Sequence, residues 1–155
     1  DQARQRHLGF GAGRGELVRY LEAKKVKREL SMRAGLLTED GERSLFDGRL
    51  VFPIADGRGH LAGFGARRLR EDAGPKYINT RESPIFSKRQ LLYGWQEASG
   101  SILKSHEVVI VDGYLDVLAC QRAGVTQAVA ALCTALTEEH ARNFPGPRSL
   151  ARALG

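Results

Sequence analysis

The sequence predicts an α/β chain: an α+β first part with a small antiparallel sheet, then the start of a parallel sheet. Three observations carry this. Two short stretches with helical apolar spacing come first, around Leu17 and Leu21 and around Val26 and Leu30. Two apolar runs then flank Asp56-Gly57-Arg58-Gly59, a tight-turn signal. From Val108-Val109-Ile110-Val111 onward the chain alternates strand and helix, as a parallel strand pair requires.

Taken in order, residues 8–14 hold Gly9, Gly11 and Gly13 and read as loop. Residues 15–24 place Leu17 and Leu21 on one helical face, and residues 26–34 repeat the pattern until Gly35 stops it. Arg49-Leu50-Val51-Phe52-Pro53-Ile54 is a short strand in which Pro53 marks an edge or a bulge. Residues 60–67 return as its partner. Gly63 and Gly65 flank Phe64 there and leave the backbone open to close approach. Residues 70–90, with Pro75, Asn79, Pro84 and Ser87, form a polar, irregular connection. Residues 91–99 read as a short helix ending near Gly100.

The run at 108–111 is a buried strand ended by Asp112-Gly113. Residues 114–123 follow as a helix with Gly124 as its C-terminal cap. Residues 125–132 make a second strand, and Thr137 caps a helix with acid in its first turn. Residues 145–155 begin Pro145-Gly146-Pro147, break that helix and offer no third strand.

A chain of 155 residues, 42% hydrophobic and 27% charged, can bury a core of ordinary composition. No apolar run approaches the ~20 residues of a membrane span, so no membrane partner is expected. The first residues have no apolar segment of secretory type behind them. Cys120 and Cys133 are too few for a disulfide framework or a four-ligand zinc site, so a reduced, cytoplasmic chain is expected. The formal charge is +6, with 18 Arg against 6 Lys. An arginine-rich excess fits a polyanionic partner, coding bias being the plain alternative. The net charge is +2 over residues 1–42, +4 over 43–100 and zero over 101–155, which places the basic surface in the middle.

Asp112 lies where a buried parallel strand meets a helix, and in open α/β sheets chemistry collects beyond the carboxyl ends of the strands. Asp116 follows in the first helical turn and can face the same crevice. Two carboxylates there suit Mg²⁺ or Mn²⁺. The alternative is that Asp112 only caps the helix. Cys133-Thr134-Ala135-Leu136-Thr137 offers a hydroxyl for phosphate or water, or simply a helix cap. In the middle, Lys76-Tyr77, Lys88-Arg89 and Tyr93 interleave bases with aromatics. That combination suits single-stranded nucleic acid, as it also suits a solvated loop.

Taken together these blocks are specific. Arg49-x-Val-Phe-Pro-Ile, Asp56-x-x-Gly, Gly63-Phe-Gly-Ala-Arg67, Pro75-Lys-Tyr-Ile-Asn-Thr, Phe86-x-Lys88, Leu92-Tyr-Gly94 and Val111-Asp-Gly-Tyr-Leu-Asp116-Val resemble, in order and spacing, the catalytic core of the bacterial DnaG-type replicative primases. The resemblance covers residues 8 to 144. It implies a basic, template-binding subdomain over residues 1–100 and a partial TOPRIM subdomain, Rossmann-like, over 101–144, with 145–155 as a tail foreign to the family. It implies a nucleotidyltransferase that makes RNA primers on a single-stranded DNA template from ribonucleoside triphosphates, with Mg²⁺ or Mn²⁺. Arg49, Arg67, Lys76, Tyr77 and Lys88 match the family's basic motif and would hold template and triphosphate. Asp112 would serve as metal ligand or base, and Asp116 would orient the metal shell.

The sequence departs from the family's pattern. Asp112 stands where Glu is usual, and Cys133 replaces the Gly of a Leu-Gly-Thr motif. The second acidic motif, Asp-x-Asp, is expected soon after residue 144 and is not found. Neither is the Cys/His zinc domain that precedes the core, nor the C-terminal domain that meets the replicative helicase. The chain alone is therefore expected not to synthesise primers. A non-catalytic single-stranded nucleic-acid-binding remnant is the alternative. A TOPRIM nuclease or topoisomerase is a weaker one, since it leaves the Pro75-Lys76-Tyr77 block unexplained.

Overall fold

A computed structural model describes residues 2–71, 74–133, 136–144 and 150–154. They form two compact units, residues 1–53 with 62–86 and residues 54–61 with 87–155.

In the first unit, α1 (Gln2–Gln5) precedes the two-residue strand β1 (Gly9–Phe10), α2 (Glu16–Ala23) and α3 (Arg28–Arg33). Strands β2 (Arg49–Ala55), β3 (Leu61–Arg68) and β4 (Tyr77–Asn79) complete a sheet of order β1-β2-β3-β4. The expected helices and hairpin are present. The turn at its tip, which counts with the second unit, is built as the sequence predicts: Asp56 Oδ1 accepts from the backbone N–H groups of Arg58 (2.8 Å) and His60 (2.9 Å). Two expectations are corrected. The glycine-rich stretch contributes β1, because Gly9 and Phe10 find free ladder positions opposite Val51 and Leu50. The polar connection contains β4, whose residues pair antiparallel with Gly65, Ala66 and Arg67.

What approaches the backbone at Gly63 is the protein's own core. A Cβ there would lie 2.5 Å from Phe86 Cδ2 and 3.0 Å from Thr80 Cβ. Thr80 is fully buried; its Oγ1 accepts from Phe64 N–H (2.8 Å) and donates to Phe64 O (3.2 Å). With the backbone bond from Thr80 N–H to Phe64 O (2.8 Å), this closes the end of β4 onto β3 through main chain and side chain together.

In the second unit, β5 (Leu92–Tyr93), α4 (Trp95–Ser105), β6 (Glu107–Val111), α5 (Tyr114–Arg122), β7 (Ala128–Ala131), α6 (Glu138–Ala141) and β8 (Leu150–Leu154) build a second sheet of order β5-β7-β6-β8. β6 runs parallel to β7 and β8, and β5 closes the β7 edge antiparallel. The strand–helix–strand unit stands as expected, with two corrections. The helix expected over 91–99 begins at Trp95 and runs through Gly100. Gly94, at φ 79°, separates it from β5, and a Cβ on Gly100 would meet nothing within 4 Å. The segment expected to offer no strand carries β8, because a five-residue run finds the open edge of β6 from Glu107 to Val111. Residues 145–149, including the Pro-Gly-Pro run, and Thr134 lie outside the described residues.

The core of this unit is Leu92, Ala98, Ile102, Val108 and Val129, with Trp95 and Phe144 packed against it edge to face at 5.8 Å. Tyr93 and Tyr114 meet at 4.8 Å, an edge-on pair that locks the start of α5 under β5. The strand ends are thereby held where the acidic residues emerge.

Candidate functional site

The first unit gathers four of the expected basic-site residues: Arg49 on β2, Arg67 on β3, Tyr77 on β4, and Lys76 just before β4. Arg67 and Tyr77 are register partners across β3 and β4. The Arg67 guanidinium lies 6.0 Å from the Tyr77 ring centroid and Lys76 Nζ lies 5.9 Å from it. Tyr77 is 40% exposed. Arg49, the first residue of β2, reaches Pro75 O with Nη1 at 3.0 Å. Arg68, which the sequence did not single out, donates from Nη1 to Gly74 O at 2.7 Å, and its own N–H bonds Lys76 O at 3.0 Å. Two arginines thus brace the loop that presents Lys76 and Tyr77.

The Nε of Arg67 is buried without a hydrogen-bond partner among the described residues. A buried donor left unpaired costs ~1–3 kcal/mol. That unmet donor lies on a cation beside an exposed aromatic ring. An apolar cavity of about 380 Å³ elsewhere in this unit, lined by Phe10, Leu17, Tyr20, Phe46 and Phe64, includes none of the expected site residues.

The second unit holds Asp112, Asp116 and Lys88. Asp112 follows β6 directly, and Asp116 lies in the first turn of α5. Between them Gly113, in extended conformation at φ −160°, is the N-cap of α5, and no side chain caps that helix. Asp112 is therefore not the cap, and the helix-capping alternative does not describe this structure. A Cβ on Gly113 would sit 3.5 Å from Asp116 Oδ2, which places the Asp116 carboxylate over the Gly113 backbone. Both carboxylates are exposed. Their all-oxygen donor set fits a hard divalent cation that takes one or two carboxylates and completes its shell with water and substrate phosphates. Among the described residues no group of three or more His, Cys, Asp or Glu side chains could hold a metal by itself.

Thr137 caps α6 as expected, but its partner was not foreseen. Thr137 Oγ1 accepts from His140 N–H at 3.2 Å, and Thr137 N–H donates to His140 Nδ1 at 3.1 Å. His140 is fully buried and burial holds its pKa below the ordinary histidine value. The signal was present in the sequence as Thr137-x-x-His140, a capping-box spacing with an imidazole in the place of Glu or Gln.

Comparison with known proteins places these features in one family. The chain matches the family described as DNA primase catalytic core, N-terminal domain, over residues 1–99, and the Toprim domain over residues 106–149. It is 43% identical over 147 residues to the DNA primase of Halalkalibacterium halodurans, which covers 92% of this chain and 24% of that one. The chain therefore spans about a quarter of that curated relative. The RNA polymerase domain of Mycobacterium tuberculosis primase DnaG superposes with a TM-score of 0.88 at 35% identity, covering 98% of this chain and 53% of that one. A DnaG primase catalytic domain solved bound to single-stranded DNA superposes at 0.81 with 35% identity, covering 91% and 45%.

Proposed function

The chain belongs to the bacterial DnaG-type DNA primase family, and from that premise we propose that it supplies the template-tracking and metal-bearing parts of a DNA-dependent RNA polymerase that makes primers. The observation that carries this is a cluster in the first unit: Arg67 and Lys76 beside an exposed Tyr77, with Arg49 bonded to the Pro75 carbonyl of the preceding loop. Cations next to an exposed aromatic side chain suit the phosphates and bases of a single strand. The relative solved with single-stranded DNA supports the same ligand.

In this reading residues 1–100 are the template-binding part and 101–144 belong to the TOPRIM part, acting in the cytoplasm on a single-stranded DNA template and ribonucleoside triphosphates. A 3′-hydroxyl attacks the α-phosphorus of the incoming triphosphate, a phosphodiester forms, and pyrophosphate leaves. Asp112 and Asp116 would hold Mg²⁺ or Mn²⁺ with their carboxylate oxygens, and the ion would supply charge neutralisation to the reaction. Arg49, Arg67, Lys76 and Lys88 hold template and triphosphate charge, and Tyr77 offers the stacking face. Contact with the replicative helicase belongs to the full-length relatives and is not assigned to these residues.

The test is Mn²⁺ binding followed by electron paramagnetic resonance, with ATP present and absent. ATP should tighten Mn²⁺ binding, because its phosphates complete the shell. Asp112→Asn and Asp116→Asn should each weaken it by at least about tenfold, the range seen when metal-site groups are removed. Mn²⁺ binding equal in parent and both variants would remove Asp112 and Asp116 from the metal site.

A further inference from the structure

The segment carrying Lys88 is held in an unusual way. Its own N–H groups bond inward, Gln90 and Leu91 both donating to Ser87 O. Its four successive carbonyls, from Lys88 to Leu91, are all taken by side chains that lie 45 or more residues later. Cys133 Sγ and His140 Nε2 donate to Lys88 O, at 3.5 and 3.0 Å. Thr137 Oγ1 donates to Arg89 O at 2.6 Å, Asn143 Nδ2 to Gln90 O at 3.0 Å, and His140 Nε2 also reaches Leu91 O at 3.1 Å.

The bonds fix the imidazole's protonation. A carbonyl only accepts, so Nε2 carries the hydrogen. Thr137 N–H donates to Nδ1, so Nδ1 is the lone pair. The ring is neutral, every polar atom is used, and the residue is completely buried. Loop carbonyls at a surface are satisfied by water at little cost. Committing a buried imidazole and three further side chains to them instead fixes the position of the loop.

We infer that His140, with Thr137 and Asn143, is a positioning clamp that sets Lys88 for its contact with a nucleic-acid or triphosphate phosphate. The clamp joins the basic segment to the chain that leaves β7, so the Lys88 side chain starts from a fixed backbone. His140 touches no ligand itself and acts through Lys88. This rests on the assignment of Lys88 to phosphate contact, and the experiment separates the two.

The salt dependence of binding to a fluorescein-labelled single-stranded oligodeoxynucleotide is measured by anisotropy for the parent chain, Lys88→Ala, His140→Leu and the double variant. Each lost phosphate contact lowers the log–log slope by about 0.7 on a single strand. Lys88→Ala and His140→Leu should each lower it by that amount, and the double variant by no more than either. His140→Gln, which keeps a donor for Lys88 O, should restore the parent slope. A parent-like slope for Lys88→Ala overturns the phosphate assignment and the clamp with it. A lowered slope for Lys88→Ala with a parent-like slope for His140→Leu, or with a double variant equal to the sum, overturns the clamp alone. Should His140→Leu lose its folded circular dichroism, the pair Thr137→Val and Asn143→Ala replaces it in the same cycle. The pair must then also lower the slope non-additively with Lys88→Ala, and a parent slope for it overturns the clamp.

Discussion

Tyr77 lies beside two cations and is 40% exposed, which makes it the most direct test of the basic site. Base stacking on an aromatic side chain is worth ~1–3 kcal/mol per base. Tyr77→Ala should therefore weaken single-stranded DNA binding by that amount, read by anisotropy, while Tyr77→Phe keeps it; equal losses would point to the hydroxyl instead. His140 makes a separate prediction in stability. Its pKa is lowered in the fold by burial, against an unfolded value near 6.5. Its contribution is fully present above pH 6.5 and is lost as pH falls from there through the folded pKa, because the unfolded chain takes up the proton first. Thermal melts from pH 8 down to pH 5 should show the gap in Tm between parent and His140→Leu shrinking in acid. A gap that widens in acid would contradict the neutral, doubly bonded imidazole.

The strands and helices place these side chains, and two junctions are the points to strain. Gly63 in β3 faces the Phe86 ring and Thr80, so Gly63→Ala should overpack the sheet and cost ~1–3 kcal/mol, measured by urea unfolding. Thr137→Ala removes the cap of α6 and should cost ~1 kcal/mol in the same assay. β2, β3, β6 and α5 were legible because their period, and the Asp56 and Asp112-Gly113 breaks, are local signals. β1, β4 and β8 were not, because two to five residues of weak pattern become strands only through a partner edge. The start of α4 was hidden by the apolar Leu91-Leu92-Tyr93 run, which looks helical until Gly94 turns at φ 79°. At the site, Asp112 could be read from a strand end and Tyr77 from its basic neighbours. The His140 clamp could not, since its ligands are carbonyls and carbonyls leave no trace in sequence. The opening at Gly63 was visible, but not that Phe86 fills it.

The first unit contributes the arginine-rich strands and the second the acidic strand end, each built on its own four-stranded sheet. The net charge of +6 comes mainly from residues 43–100, the stretch that holds Arg49, Arg67, Lys76, Tyr77 and Lys88. Charge placed there acts on a polyanion through counterion release, so affinity must fall with salt in proportion to the phosphates engaged. The most direct measurement is the salt dependence of the parent chain's affinity for a single-stranded oligodeoxynucleotide. Three or four phosphate contacts predict a log–log slope of about −2 to −3. A slope of that size, reduced by about 0.7 in Lys76→Ala, is the expected result. A slope near zero, or one that Lys76→Ala leaves unchanged, would contradict the assignment of these strands to template binding.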